Sequence, residues 1–290
     1  MHFTADRSGT VTEENSLQDR FLAKLYHSVI GRILLKPLIS PAFSKIGGIF
    51  LDSFISRILI SPFIRSHSIS LKEYESRRYR SFNDFFKRKL LYGARKIDRA
   101  KDAFISPCDS RLSVYKINGK NIFSIKHTRY TVASLLRSQK LAHKYTGGYL
   151  WIFRLRADDY HHYIYTDEGK VSKNHKIPGV FHTVNPVASD LYPIYKENTR
   201  EYALLKSKNF GAVLQMEVGA LLVGKIENRP GGHTVRKGQE KGCFAFGGST
   251  IILMTQEGRV LPDEDILKNS AKGIETSVRL GERVGRKGDV

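Results

Sequence analysis

The tightest constraint on the fold lies in residues 100–290. Short β-prone runs alternate there with glycine and asparagine turns: "RLSVYKINGKNIFSI", "GGYLWIFRL", "HYIYTDEGKV", "GAVLQMEVGALLVGKI" and "STIILMTQEGRV". Runs this short and frequent predict a core of mainly antiparallel strands. "TRYTVASLLRSQKLAHKY" reads as a helical interruption. One echo runs through the pattern. "VRKGQEKG" at 235–242 and "VRLGERVG" at 278–285 share Val, Arg, Gly and Gly at the same four positions. Each reads as a strand end and a tight glycine turn, and the two turns are expected to pack as related parts of one β sandwich or barrel.

The grammar before residue 100 is helical. Leu22, Leu25, Tyr26, Val29 and Ile33 recur at helical spacing over 17–36, and Lys36-Pro37 closes the run. Over 43–60, Ile46, Phe50, Phe54, Ile55 and Ile58 share one face, with Asp52, Ser53, Ser56 and Arg57 opposite. A third helix is expected over 80–91, capped by Ser81 with Asp84 three residues on. The predicted class is therefore α+β: N-terminal amphipathic helices, then a β-rich core of antiparallel strands, sandwich- or barrel-like. The expected boundary separates a helical, membrane-facing region, 1–98, from the β core, 99–290.

Charge narrows the partners. The net charge is +20 over 290 residues, which favours nucleic acid or an anionic membrane surface. The basic residues are spread along the chain without a zinc-finger, RNP-type or basic-zipper pattern, so no nucleic-acid partner is expected. Lys24, Arg32, Lys36, Lys45, Arg57 and Arg65 lie among the apolar faces of the first helices, the composition of an interfacial helix. Packing on the β core is the competing use of those faces. No run approaches the ~20 apolar residues that span a bilayer. The start "MHFTADRSGTVTEEN" lacks the basic and apolar regions of a secretory leader. Contact with a membrane is therefore expected to be peripheral and cytoplasmic. Two cysteines, Cys108 and Cys243, make neither a disulfide framework nor a zinc motif, so no metal is expected.

Several stretches could carry chemistry. "RADDYHHYIYTDEGK" puts two acids before Tyr160-His161-His162. In a strand the two imidazoles point to opposite faces, so one of them can serve a given site. A lone histidine is more often a packed residue, but adjacent acids can orient one as a general base. Asp109 in "SPCDSRLSVY" reads as a turn residue or as a carboxylate aimed at a histidine. "GVFHTVNPVA" adds His182 and Asn185, and "LQMEVGALLVG" offers Gln215 and Glu217 as site borders, with Met216 and Val218 toward the core. In "CFAFGGSTII", Gly247-Gly248 allows a sharp turn ahead of Ser249. No strand-to-helix elbow surrounds that serine, which argues against an α/β hydrolase.

Taken in order, "RSFNDFFKRKL", "SPCDSRL", "DDYHHYIYTDEG", "FHTVNPVA", "FGGSTIIL" and "GIETSVRLGERVG" resemble the phosphatidylserine decarboxylase proenzymes from about residue 20 onward. The resemblance implies self-cleavage at Gly248–Ser249 into a β chain, 1–248, and an α chain, 249–290. It also implies that Ser249 becomes a covalent pyruvoyl group, which forms a Schiff base with phosphatidylserine and draws off the electrons released with CO2, giving phosphatidylethanolamine. Asp109, His161 and Ser249 match the family's Asp–His–Ser arrangement, with Asp109 orienting His161. Some members carry a second histidine three residues after the Tyr-His pair; Ile164 stands there in this chain, so the base falls to His161, His162 or His182. The implied lipid partner is an anionic phospholipid at the membrane, and a homo-oligomer remains open. The competing reading is a non-catalytic, peripheral lipid-binding homologue.

Overall fold

The computed structural model describes residues 2–14, 26, 28–120, 122–125, 128–183, 194–220, 225–247 and 249–289. Helix α1 spans Val29–Leu38 and α2 spans Pro41–Asp52; residues 17–25 of the first predicted helix lie outside the described residues. The helix expected over 43–60 is broken. Ser53 adopts an extended conformation (ψ 154°), and its hydroxyl donates to the Phe50 carbonyl at 2.6 Å. A 3-10 helix, Phe54–Leu59, and α3, Ile60–Ser66, continue after an 82° bend.

The expected faces are also rearranged. Ser56 is buried, bonds the Leu51 and Ser53 carbonyls, and accepts the Phe82 amide at 2.9 Å. Ile46, Phe54 and Ile58 are 67%, 71% and 70% exposed. Helix α4 is a single turn, Phe82–Phe86, rather than 80–91, and Ser81 caps it by accepting the Asp84 amide at 3.1 Å.

The core strands are β1 Ala103–Ile105, β2 Ser110–Lys116, β3 Tyr149–Leu155, β4 His162–Ile164, β5 Gly169–Val171, β6 Arg200–Ser207, β7 Gly211–Val218, β8 Ile226–Asn228, β9 Thr234–Val235, β10 Glu240–Phe244, β11 Ser249–Thr255, β12 Val260–Pro262, β13 Glu275–Val278 and β14 Arg283–Lys287. The main sheet runs β9-β5-β6-β7-β11-β3-β2-β13, all antiparallel. An N-terminal hairpin, His2–Ala5 with Val11–Glu14, adds to β13 through a parallel pair. The path is open, not a closed barrel. Two three-stranded sheets, β8-β10-β4 and β12-β14-β1, complete the core. The helical interruption is present in pieces, Val132–Leu136 and Gln139–Ala142, split where Arg137 turns to φ +49°.

These strands form two copies of one unit. The inner copy is β4 to β10. The outer copy is β1, β2, β3, β11, β12, β13 and β14, with the whole inner copy inserted between β3 and β11. Each pairing in one copy has its counterpart in the other, down to a bulge. Register slips at Lys241 between Glu240↔Ile164 and Gly242↔Tyr163, and at Val284 between Arg283↔Ile105 and Gly285↔Phe104.

The two echoing turns are the same turn. The Gln239 amide donates to the Arg236 carbonyl at 3.0 Å, and Glu282 to Arg279 at 3.0 Å. The Gln239 and Glu282 side chains accept the amides of Arg236 and Arg279 at 3.0 and 2.8 Å. Gly238 and Gly281 sit at φ +79° and +83°, a region side chains strain to enter. Both turns close on Ile97, 3.1 and 2.5 Å from where a Cβ on either glycine would lie.

Candidate active site

Ser249 opens β11, the strand at the centre of the main sheet, paired to Leu155 of β3. It is fully buried, and its Oγ has no hydrogen-bond partner among the described residues. Gly247 precedes it by two residues at φ +135°, a conformation that needs glycine. Gly248 lies outside the described residues. The segment before Ser249 is gripped by α4. Asn83 Oδ1 accepts the Phe246 amide at 3.1 Å. The Phe246 ring packs edge-on against Phe82 at 4.9 Å and Phe86 at 5.1 Å.

His161 stands just before β4, equally sealed. Its ring lies 4.1 Å from Phe86, and its carbonyl accepts the Phe244 amide at 3.1 Å. Nδ1 is 2.9 Å from the Asp159 carbonyl. A carbonyl can only accept, so Nδ1 carries the proton and Nε2 is the lone-pair nitrogen. No hydrogen bond reaches Nε2, although the Gly247 carbonyl is near enough to favour the protonated ring slightly. Burial, helped by the Arg88 charge, pushes the His161 pKa down to about 3. The imidazole is therefore a neutral, fixed acceptor at physiological pH.

Asp109 does not orient it. Its carboxylate accepts from Arg95 Nε at 3.0 Å and Nη2 at 2.7 Å, and from the Leu280 amide at 2.7 Å. The orienting group is the peptide carbonyl of Asp159, one of the two acids before the histidines. The Asp159 carboxyl accepts the Arg156 amide at 2.7 Å and lies 3.6 Å from Arg111; burial pushes its pKa up to about 6.

The alternative bases are engaged elsewhere. His162 points away from His161, as strand alternation predicts. Its nitrogens meet Glu240 and the Lys87 carbonyl, both at 3.2 Å, and its ring stacks on Tyr160 at 4.9 Å. The bond to His162 holds the Glu240 carboxyl down to about 2. His182 lies with Tyr26 and Glu197, and burial lowers its pKa to about 4. Ile164, in the place of the second histidine, is a core residue. Asn185 lies outside the described residues.

Gln215 and Glu217 sit on β7 beside β11, paired to Leu253 and Ile251, on the face that carries Ser249. Gln215 donates to the Ile164 carbonyl at 3.4 Å. Glu217 forms a completely buried ion pair with Lys241 at 2.6 Å and accepts from Asn228 at 2.9 Å; burial raises its pKa. Met216 and Val218 are in the core as expected, but so are Gln215 and Glu217. Sequence reasoning missed Arg88, Lys241 and the role of Phe86. Only the presence of "RSFNDFFKRKL" among the family-like stretches hinted at the first and last.

The fold is that of a β-rich protein in which a buried serine and a buried histidine lie at the 245–249 stretch of its own backbone. The chain belongs to the phosphatidylserine decarboxylase family, whose model matches residues 82–286. It is 46% identical over 280 residues to phosphatidylserine decarboxylase proenzyme 2 of Clostridium acetobutylicum, covering 95% of each chain. It is 41% identical to the phosphatidylserine decarboxylase proenzyme of Ruminiclostridium cellulolyticum, over 92% of this chain and 91% of the other. Against that of Clostridium novyi the identity is 40% over 93% of each.

Proposed function

We propose that this chain decarboxylates phosphatidylserine to phosphatidylethanolamine after cutting itself between Gly248 and Ser249. Its relatives are named as proenzymes of that decarboxylase, which supports the reaction and a precursor that yields two chains. The observation that carries the self-cleavage is a pair of orphans: the Ser249 hydroxyl, two residues after Gly247, and His161 Nε2, near the Gly247 carbonyl, both buried and both without a partner among the described residues. A buried polar group left unpaired costs about 1–3 kcal/mol; of the buried groups left so among the described residues, these two pair a hydroxyl nucleophile with a neutral nitrogen acceptor.

The Ser249 Oγ attacks the Gly248 carbonyl carbon as His161 Nε2 takes its proton; the peptide nitrogen leaves and an ester replaces the amide. Elimination across Cα–Cβ of Ser249 then releases the carboxylate of residue 248. The dehydroalanine left at 249 tautomerises to an imine, which water hydrolyses to a pyruvoyl group with loss of ammonia; the Ser249 hydroxyl makes no hydrogen bond among the described residues that the change would break. That group supplies an electron sink for the decarboxylation. His161 then returns a proton to the carbon that lost CO2, and burial limits competition from water. The non-catalytic lipid-binding alternative is not favoured, since serine and histidine are both intact.

The test is intact mass with ketone trapping by borohydride. Two chains with a trapped ketone are expected, and one uncut chain from Ser249→Ala. A wild-type chain that stays whole would sink the reading.

We further propose that the chain sits peripherally on the cytoplasmic side of an anionic membrane. No single described helix is long and apolar enough to cross one. Phe54, Ile55 and Ile58 stand exposed beside Arg57, the apolar-plus-basic surface of an interfacial segment. Phe54→Ser with Ile58→Ser should cut pelleting with anionic vesicles about tenfold or more. Unchanged pelleting would move the contact to the basic core.

A further inference from the structure

Arg88 follows α4 and is completely buried. A buried cation is costly unless paired, yet Arg88 has no carboxylate partner among the described residues. Its guanidinium lies over the rings of Tyr74 at 4.6 Å and Phe85 at 5.1 Å. Nη2 donates to the Asp158 carbonyl at 2.9 Å and to the Asp159 carbonyl at 3.4 Å, and approaches the Tyr74 hydroxyl at 3.5 Å. Nε and Nη1 have no partner among the described residues. The Asp159 carbonyl is also the one that holds the His161 Nδ1 proton, so arginine and imidazole share a single peptide oxygen.

We propose that Arg88 is the positioning residue of His161: it grips the 158–159 peptide carbonyls and so keeps the ring aimed with Nε2 open toward the 245–249 segment. The proposal rests on the reading of His161 as the self-cleavage base. The local charges agree with it. Arg88 and His162 are the charged or titratable groups that disfavour a proton on His161, after burial itself. The Asp158 and Asp159 carboxylates on the same segment are turned to Arg156 and Arg111. The facing stretch Ala245-Phe246-Gly247 carries no titratable side chain. Phe86, two residues before Arg88, closes the ring's flank. One short stretch thus fixes the base by a ring contact and by a carbonyl.

Two readouts test this. The first is the rate at which freshly translated chain separates into its two fragments. The second is the 15N signature of the His161 ring in the uncut Ser249→Ala proenzyme. In the wild-type ring a single Nδ1–H tautomer is expected, unprotonated down to about pH 4. Arg88→Gln should slow cleavage at least tenfold, mix the two tautomers and raise the pH at which the ring takes its second proton. Arg88→Lys keeps the charge, so it should recover the low titration but only part of the rate.

A wild-type ring signature in Arg88→Gln overturns the proposal, whether or not the rate falls, because a merely structural arginine would leave the tautomer alone. If Arg88→Gln is insoluble, Arg88→Lys decides: an unaltered rate together with an unaltered tautomer overturns it. His161→Ala separates the two readings. Normal cleavage there removes His161 as the base, whereas blocked cleavage with an unmoved ring in the Arg88 variants removes only Arg88.

Discussion

The inner and outer repeats build the same unit, yet they differ at the joint between their third and fourth strands. In the inner repeat β6 passes to β7 through residues 208–210, a tight turn held by Asp167, which accepts the Ser207 hydroxyl at 2.5 Å and the Asn209 amide at 3.1 Å. In the outer repeat the same joint, Leu155 to Ser249, is opened by the entire inner repeat. Ser249 thus stands where the inner repeat has Gly211. The proposed cut falls at the far end of an insertion, and β11 behind it is held by β7 on one side and β3 on the other. A break there removes no strand pair, which is why a sheet can survive losing its chain continuity at its centre.

The repeats differ also in what they bury. His161 before β4 corresponds to Asp102 before β1, a sealed imidazole against an exposed acid. Lys241, Glu217 and Asn228 correspond to Val284, Thr255 and Pro262. Valine fills the bulge position in one copy, so the scaffold does not require a buried ion pair in the other. The inner repeat carries the polar interior and the outer one the plain solution.

The largest expected effect breaks the comparison by acid. His161 titrates near 6.5 unfolded and about 3 folded, so the unfolded chain binds the extra proton between those values. Its stabilisation is complete above pH 6.5 and is lost as pH falls toward 3, by up to about 5 kcal/mol. Urea unfolding of the Ser249→Ala proenzyme should follow this slope, and His161→Asn should reduce it, leaving the share that comes from His182, whose pKa burial lowers to about 4. A slope unchanged by His161→Asn would place the acid sensitivity elsewhere.

Next comes the ion pair. Lys241→Met leaves Glu217 buried and unpaired and should cost about 3–5 kcal/mol, with most of it regained in Lys241→Met/Glu217→Gln. An equal loss in the double variant would mean that packing, not charge, matters at that bulge, as it does at Val284.

The smallest effect concerns matched acids. Asp109 and Glu168 occupy equivalent places before β2 and β5, but Asp109 ties Arg95 to the Leu280 amide while Glu168 meets Lys208 in solvent. Asp109→Ala should cost about 1–3 kcal/mol and loosen the 249–290 piece in the cut protein, whereas Glu168→Ala should leave the urea midpoint unmoved. Equal behaviour of the two would dismiss Asp109 as a clamp.

Much of the β core was legible from short runs and turns because alternation and turn chemistry are local. The echo at 235–242 and 278–285 was the visible end of the nested repeat. Its turns need glycine at positive φ and an acceptor at the fourth residue, while the strands between accept many packing residues. The helix over 43–60 failed for a physical reason: periodicity says which residues share a face, not which face meets the protein. Ser53 ended the helix and Ser56 went inward. The partners of Asp109 were not legible because a carboxylate's partner is set by approach through space; its bonds reach 14 residues to Arg95 and 171 to Leu280 rather than to His161. The Asp159 carbonyl left no mark at all, since every residue has one.

By itself the sequence determined the antiparallel strands, the glycine turns, the basic balance and the candidate side chains at 161 and 249, all properties of single residues or short windows. Only the tertiary structure decided that one repeat lies inside the other, that His161 alone among the described histidines keeps a free buried nitrogen near Gly247, and that a peptide carbonyl shared with Arg88 holds it. Those are matters of burial and long-range approach, and burial sets both the charge of an imidazole and the cost of a hydroxyl left unbonded.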